Sequence, residues 1–244
     1  MVAETARPSR REQRREQTLQ EIKALAMEQI AGGGPDAVSL NGIARSMAMS
    51  PAAVYRYFDN RDALLADLVV EVYDSLADAL EAAARGAGTP EQRLAAVAHA
   101  SRSWALEHPN PYRLIFQTTS GSGQDLAPER TIPAASRSMG ALLDALSAVA
   151  AAAQGEGDGE GGEGDRDPQG PELGEQVRAW AERTGMPDLP VRVLTLGLLC
   201  WTRLHGVISL ELGHHLVSTG IDPGLLYRAE VDELVRRARL GGRR

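Results

Sequence analysis

Residues 48–65 read AMSPAAVYRYFDNRDALL and hold the strongest local signals of the chain. The string YRYF at residues 55–58 contains two of the five Tyr and one of the two Phe of the whole chain, directly behind very small side chains. Ser50-Pro51 predicts a helix start, because a Ser hydroxyl can cap free backbone N–H groups and Pro suits the first helical position. The segment therefore predicts a short helix with a small tip and bulky hydroxylated rings behind it.

Residues 39–58, SLNGIARSMAMSPAAVYRYF, have the layout of a helix-turn-helix. Ser39 can cap a first helix over residues 40–47, a turn follows near 47–50, and the second helix starts at Pro51. The second helix of such a motif can lie in the major groove of DNA, with its N-terminal residues over the base edges. The apolar positions that would pack this pair against the preceding helix are Ile43, Ala44, Met49 and Val54.

The side chains of this motif suit contacts with DNA. Small residues at the tip would let the helix approach base edges, and Tyr hydroxyls can reach phosphate oxygens. Arg61 opens a further helix, capped by Asn60, where its charge and the free N–H groups favour a phosphate. An alternative for YRYF is core packing with hydroxyls at the rim, which the sequence leaves open. The predicted DNA-contacting residues are Asn41, Arg45, Ser50, Pro51, Ala52, Ala53, Tyr55, Arg56, Tyr57 and Arg61.

The rest of the chain also has helical periodicity, and no strand alternation is convincing. Residues 154–170 are Gly and acid without apolar content, which predicts a mobile loop because such a segment cannot bury a face. The segment within 188–216 is apolar nearly all round, which indicates a core or a subunit interface. Beyond the helix that stops at residues 32–35, helices are predicted over 40–47, 51–58, 61–85, 89–107, 110–117, 128–153, 171–185, 188–216 and 223–240.

Charge is distributed unevenly along the 244 residues. The net charge is -7, yet residues 1–61 contain nine basic and seven acidic residues, so this part carries +2 and the remainder -9. Such asymmetry indicates a polyanion-facing end, although an ordinary charged helix face would give the same count. Residues 1–13 are expected to form a flexible basic arm, with Arg7, Arg10 and Arg11 continued by Arg14 and Arg15.

Composition bounds the compartment and the chemistry. The single Cys excludes an internal disulfide and a Cys-based zinc site, and favours a reducing, cytoplasmic location. The chain has no run of eighteen or more uncharged apolar residues, so no membrane span is predicted. The charged N-terminus lacks the apolar region of a secretory signal. Cys200 and His205 lie five residues apart, on different helix faces, and adjacent His214 and His215 point apart. We therefore expect no catalytic residue, no metal site and no cofactor.

Residues 16–65 resemble the DNA-binding domain of the TetR family of transcriptional regulators. The resemblance lies chiefly in the stretch IARSMAMSPAAVYRYFDNRDALL. Arg61 stands where Lys is usual in that family, and Tyr57 where His is common. Ala48 stands at the turn position where Gly is usual, and a left-handed backbone there would cost Ala about 1 kcal/mol or more. The C-terminal part is similar to the class marked by Trp, His and Gly, here Trp201, His205 and Gly206, with Gly206 permitting close approach of a neighbour.

The resemblance implies an all-α fold with an N-terminal three-helix DNA-binding domain and a larger helical body for ligand binding and dimerisation. The expected boundaries are 14–60, with the start of a linking helix to about 75, and 61–244. It also implies a homodimer through helices 188–216 and 223–240 on double-stranded operator DNA, acting as a repressor released by a small apolar or amphipathic ligand. The candidate pocket residues are Trp104, Tyr112, Phe116, Trp180, Trp201 and His205.

Three alternatives remain at this level. The three Trp can line a pocket or simply fill the core. A DNA binder without an effector would have an apolar-filled body, whereas a cavity of a few hundred cubic ångströms would favour ligand sensing. An enzyme or ligand carrier with an accidental helix-turn-helix would need a catalytic constellation, and none stands out in the sequence.

Overall fold

The structure, a computed structural model, describes residues 9–116, 126–155, 171–186 and 188–242. Within these ranges the chain forms ten α-helices and two short 3-10 turns, and it contains no strand. The predicted all-α fold class is thereby confirmed. The chain divides into two compact units, Met1–Glu71 with Asn110–Thr131, and Val72–Pro109 with Ile132–Arg244. Most of the predicted mobile loop 154–170 lies outside the described residues, although residues 154 and 155 end a helix.

The first unit begins with a long helix. Its elements are α1 (Arg10–Gly33), a 3-10 turn (Pro35–Ala37), α2 (Leu40–Ser46), α3 (Pro51–Val54) and the start of α4 (Arg61–Arg85). Ser9 and Glu12 form a capping box, in which Glu12 N donates to Ser9 Oγ (3.2 Å) and Ser9 N donates to a Glu12 carboxylate oxygen (2.7 Å). This cap starts the helix at Arg10. The prediction that residues 10–13 belong to a flexible arm is therefore wrong, and residues 1–8 lie outside the described residues.

The core of this unit is small and apolar. Ile22 and Ala26 of α1 and Ile43 and Ala44 of α2 are fully inaccessible, as is Val54 of α3. Ile22 and Ala26 lie four residues apart on α1, and Leu40 lies three residues before Ile43 on α2, so each of these helices turns one face toward the shared core. The predicted packing of α2 and α3 is confirmed at these positions.

The second unit takes in the rest of α4 and a larger set of helices. They are α5 (Pro90–Glu107), α7 (Pro128–Gly155) from Ile132 onward, α8 (Pro171–Thr184), α9 (Val191–Leu212) and α10 (Pro223–Gly242), while α6 (Pro109–Phe116) lies mainly in the first unit. Thr89 caps α5 with Gln92 as its reciprocal partner, as a Thr-Pro helix start predicts. The α9 helix packs against α5, α8 and α10, so it forms the centre of this unit.

The α9 helix is shorter than the predicted 188–216. It ends where His214 takes a left-handed φ of 58°, with His214 N donating to Glu211 O (3.0 Å) and His215 N to Leu210 O (2.9 Å). This pair of bonds satisfies the last carbonyls and stops the helix. A non-Gly residue at that position is uncommon, and the sequence carries no signal for it.

Length and composition alone would allow α9 to cross a membrane. Ten of its residues are buried within the protein, and the core helix of a soluble protein passes the same test. A Cβ atom added at Gly197 would lie 2.3 Å from Leu143 Cδ2, so α7 approaches α9 closely there. Nothing lies within 4 Å of a Cβ atom added at Gly206. Within the described chain a neighbouring helix comes close at Gly197, and Gly206 faces open space.

Candidate nucleic-acid interface

The turn between α2 and α3 depends on Ala48. Its φ is 52°, in the left-handed region, and it is exposed. Ala48 N donates to Arg45 O (3.2 Å) and Met49 N donates to Ala44 O (2.9 Å), so α2 ends in the bond pattern that usually has Gly at this position. The tight turn expected from the sequence is present, and Ala48 carries the backbone strain.

The α3 helix is only one turn long. It ends at Val54 and continues as a turn through Tyr57, rather than as a helix to residue 58. Ser50 occupies the cap position, but its side chain makes no cap hydrogen bond. The prediction that the Ser50 hydroxyl caps α3 is therefore wrong. The helix start relies on Pro51, whose fixed φ suits the first turn and whose missing N–H needs no acceptor.

The rings behind the α3 tip separate by burial. Phe58 is buried with Val54, whereas Tyr55 is 43% exposed and Tyr57 is half-buried. The alternative of core packing thus applies to Phe58 and not to Tyr55. Ser50, Pro51, Ala52 and Arg56 are exposed and Ala53 is half-buried, so the α3 tip is open to solvent.

The α2 helix presents two more of the predicted residues. Asn41 and Arg45 are both exposed. Ser39 caps α2 by accepting from Gly42 N (3.1 Å), as predicted, and its own N–H donates to Gln29 Oε1 (2.8 Å). Gln29 thereby ties the start of α2 to α1. Sequence reasoning misses this role, because Gln29 and Ser39 are ten positions apart and no local pattern links them.

The Arg61 side chain binds acceptors of the protein itself. Asn60 caps α4 by accepting from Ala63 N (2.8 Å), as predicted. Arg61 Nη2 donates to Pro35 O (2.6 Å) and to Asp36 Oδ1 (2.9 Å), and Nη1 donates to Asp62 Oδ1 (3.2 Å). The guanidinium therefore links the start of α4 to the 3-10 turn. Its side chain is still 34% exposed, which leaves it reachable from solvent.

A second charged cluster lies inside the same unit. Lys23 of α1 is only 7% exposed and contacts Glu71 and Asp67 of α4, with 2.5 Å between Lys23 Nζ and Asp67 Oδ2. Arg130 Nη2 lies 2.5 Å from the other oxygen of Asp67. Burial opposes both charges, but the hydrogen bonds outweigh it, so the pKa of Lys23 is raised and the pKa of Asp67 is lowered. Apart from the spacing of the two acids on α4, no sequence pattern indicates this cluster.

The predicted pocket residues form separate ring contacts. Tyr112 and Phe116 of the first unit have ring centroids 5.0 Å apart. In the second unit Trp201 and His205 have centroids 5.0 Å apart. Trp104 is buried, and its indole N–H donates to Ser75 Oγ (3.1 Å), which indicates a structural anchor between α5 and α4.

Two groups on α9 are held in their neutral forms. Burial lowers the pKa of His205 to about 4, so its imidazole is neutral at neutral pH. Burial also raises the pKa of the Cys200 thiol to about 12, which removes the thiolate that a nucleophile requires.

The remaining predicted pocket residue, Trp180, lies on α8 and is half-buried.

The capped α2, the left-handed turn and the exposed one-turn α3 together define a helix-turn-helix DNA-binding protein. Residues 22–68 match the family described as bacterial regulatory proteins of the tetR family, and residues 94–234 match the tetracyclin repressor-like C-terminal domain. The chain belongs to the TetR family of transcriptional regulators.

Individual relatives agree with this assignment. HTH-type transcriptional regulators of Mycobacterium tuberculosis and Mycobacterium bovis are each 32% identical over 237 residues, covering 96% of this chain and 97% of theirs. A crystal structure of a regulatory protein with 37% identity has a TM-score of 0.70 and covers 93% of this chain and 98% of that chain.

A more distant structure shares the fold alone. The regulator PfmR of Thermus thermophilus is 18% identical with a TM-score of 0.56, covering 88% of this chain and 97% of that chain. The protein is a DNA-binding transcriptional regulator, and its family implies operator DNA binding and dimerisation.

Proposed function

We propose that the protein is a cytoplasmic, dimeric repressor that occupies a near-palindromic operator and leaves it when a small apolar or amphipathic molecule binds the body. The exposed α3 tip carries the DNA-reading part of this proposal, because small side chains and an exposed Tyr55 lie together on α3 and the turn that follows it. Residues 14–60 serve as the DNA-binding domain, and residues 61–244 as the regulatory and dimerisation domain.

The contacts with DNA divide into two kinds. Asn41 and the small residues at 51–53 face base edges, so changes there alter sequence preference. Tyr55, Tyr57 and Arg61 hold the phosphate backbone, as do Arg45 and Arg56, so their loss weakens binding to all sequences. On the arginine-rich start of α1, Arg10, Arg11, Arg14 and Arg15 are exposed and add further backbone contacts.

Dimerisation is assigned to α9 and α10. Both helices carry exposed Leu side chains, Leu210 at 42% and Leu225 at 59%, and Gly206 is exposed with open space above it. An exposed apolar face of this kind favours pairing with a second copy. A twofold dimer then presents two α3 helices to half-sites about 34–36 Å apart, one turn of DNA.

Ligand binding is assigned to α4, α5 and α7 of the body. The neutral His205 beside Trp201 supports an apolar or amphipathic ligand, and with Gly206 these residues are the basis for assigning the body to the Trp-His-Gly class. Release follows if the ligand binds more tightly to a dimer whose recognition helices have the wrong spacing. The buried and hydrogen-bonded Trp104 favours the rival reading, a regulator without an effector.

The direct experiment is selection of bound DNA from a pool of random duplexes, repeated in the presence of candidate apolar ligands. We expect enrichment of an inverted repeat whose half-sites lie about one helical turn apart, with loss of enrichment for some ligand. Enrichment that no ligand reverses would support the regulator without an effector. Failure to enrich any sequence would contradict sequence-specific operator binding.

A further inference from the structure

The DNA-binding unit contains a carboxylate beside the cation that is proposed to bind a phosphate. We propose that Asp36 competes with the DNA backbone for the Arg61 guanidinium, and so lowers the affinity of the protein for DNA of any sequence. This inference rests on the proposed phosphate contact of Arg61. It adds Asp36, on the turn between α1 and α2, as a residue that sets affinity.

The geometry shows why the two acceptors on Arg61 Nη2 differ. The Pro35 carbonyl is neutral and part-buried, at 2.6 Å. The Asp36 carboxylate is charged and 79% exposed, at 2.9 Å. A phosphate that approaches Arg61 from solvent meets the Asp36 charge well within a Debye length of about 10 Å. The carbonyl can stay bound when DNA arrives, whereas the carboxylate opposes the phosphate.

Arg61 has little donor capacity to spare for a third anion. A guanidinium offers five N–H groups. Both N–H groups of Nη2 and one of Nη1 are engaged, and Nε is buried without an acceptor within the described residues. The remaining Nη1 N–H is a single donor, so a phosphate that binds in the two-bonded fork must replace a carboxylate. Asp36 is the exposed partner on Nη2, and its displacement leaves the Pro35 anchor in place.

The rival role for Asp36 is support, in which it holds Arg61 in position for the phosphate. The two roles predict opposite signs for Asp36→Asn. Asn keeps an acceptor oxygen of the same shape but removes the charge. If Asp36 competes, the variant binds DNA more tightly. If Asp36 supports Arg61, the variant binds equally well or more weakly.

The experiment measures fluorescence anisotropy on a labelled random-sequence duplex of about 30 base pairs, long enough for two half-sites. A random pool reports backbone contacts and needs no known operator. We expect Asp36→Asn to bind about 1.5- to fivefold more tightly at low salt, the range for one exposed charge pair. Its plot of log affinity against log salt should also steepen by up to about 0.9, because Arg61 then contributes a further released counterion.

Matched variants separate this mechanism from a general loss of negative charge. Asp232→Asn removes one exposed carboxylate from α10 of the second unit and should leave affinity unchanged. Arg61→Gln should weaken binding, and Asp36→Asn in that background should give little or no gain, because the two residues act as a pair. Asp36→Ser, at a position that is 79% exposed, supplies a second neutral variant, and its thermal unfolding should match that of wild type.

Two outcomes would overturn the proposal. One is that Asp36→Asn leaves affinity and salt dependence unchanged or lowers affinity. The other is that its gain is equally large in the Arg61→Gln background. If wild type and Arg61→Gln bind equally well, the proposed phosphate contact itself fails and the competition with it. Absence of binding by the folded wild-type protein at low salt would contradict the proposed function as a whole.

Discussion

Two charged clusters of the DNA-binding unit use the same chemistry in different surroundings. Lys23 is 7% exposed between two carboxylates of α4, whereas Arg61 is 34% exposed between Asp36 and Asp62. In the first cluster the Lys23 cation is taken from water and depends on its two carboxylate partners, of which Asp67 is 26% exposed. In the second, solvent weakens the pairs and leaves the cation within reach of another anion. Burial therefore separates a cluster that stabilises the fold from one that is available to DNA.

The largest expected effect tests the buried cluster. Asp67→Asn removes the charge that Lys23 and Arg130 share, and should lower the free energy of unfolding by about 2 kcal/mol, below the usual cost of breaking a buried pair because Asp67 is 26% exposed. Urea unfolding followed by circular dichroism measures this loss. DNA affinity of the folded variant should match wild type. A loss of stability no larger than that of Asp36→Asn would remove the distinction between the clusters.

The buried cluster also makes the stability of the protein depend on pH. The pKa of Asp67 is lowered below its ordinary 3.8, so its contribution to stability is full above that pH and is lost as the pH falls through the lower value in the folded protein. The pKa of Lys23 is raised above 10.5, so its contribution is full below that pH and is lost as the pH rises through the raised value. Unfolding measured from acid to alkaline pH should show both losses in wild type, and a smaller acid loss in Asp67→Asn. Identical acid profiles for the two proteins would contradict the assignment.

The next effect tests the exposed cluster. Arg61→Gln should weaken binding to any duplex by about tenfold, because one backbone contact is lost. Its free energy of unfolding should fall by about 1 kcal/mol, since the lost ion pairs are exposed and the lost bond to Pro35 O is only part-buried. Titration of a random duplex and urea unfolding of the same sample give both numbers. A variant that unfolds readily but, while folded, binds DNA normally would show that Arg61 is purely structural.

The smallest effect separates backbone strain from charge. Ala48→Gly relieves the left-handed strain but makes the unfolded chain more flexible, so a net gain in unfolding free energy of about 0.5 to 1 kcal/mol is expected. Thermal unfolding at two salt concentrations measures it. The gain should be the same at both, because no charge changes. Ala48→Val is the opposite control, and equal or greater stability in that variant would show that the turn is unstrained.

Local sequence patterns predict most of the helix caps and turns of this unit. They predict almost none of its long-range side-chain pairs. Ser39 and Asn60 cap their helices as expected, and Ala48 is left-handed, because each signal acts within a few residues. Lys23 is buried against α4, where its partner Glu71 lies 48 residues further along the chain. No local sequence pattern predicts this burial.

The errors all concern the ends of helices. At the start of α1, the run of Arg residues suggests a flexible arm. This interpretation overlooks Ser9, which caps the helix. The Ser-Pro pair suggests a hydroxyl cap on α3, but Pro51 alone suffices for one turn. Sequence reasoning places Arg61 toward solvent because its partners Pro35 and Asp36 lie more than twenty positions earlier. The first two errors are local, whereas the error at Arg61 comes from tertiary contacts that no neighbouring residue indicates.

The salt dependence of binding to one random duplex, compared between wild type, Asp36→Asn and Asp67→Asn, tests most directly whether burial separates the two clusters. We predict a steeper dependence and higher affinity for Asp36→Asn, with Asp67→Asn superimposable on wild type under conditions where it is folded. If the two variants shift DNA binding equally, or if only Asp67→Asn shifts it, the exposed cluster does not set DNA affinity and burial does not separate the two clusters.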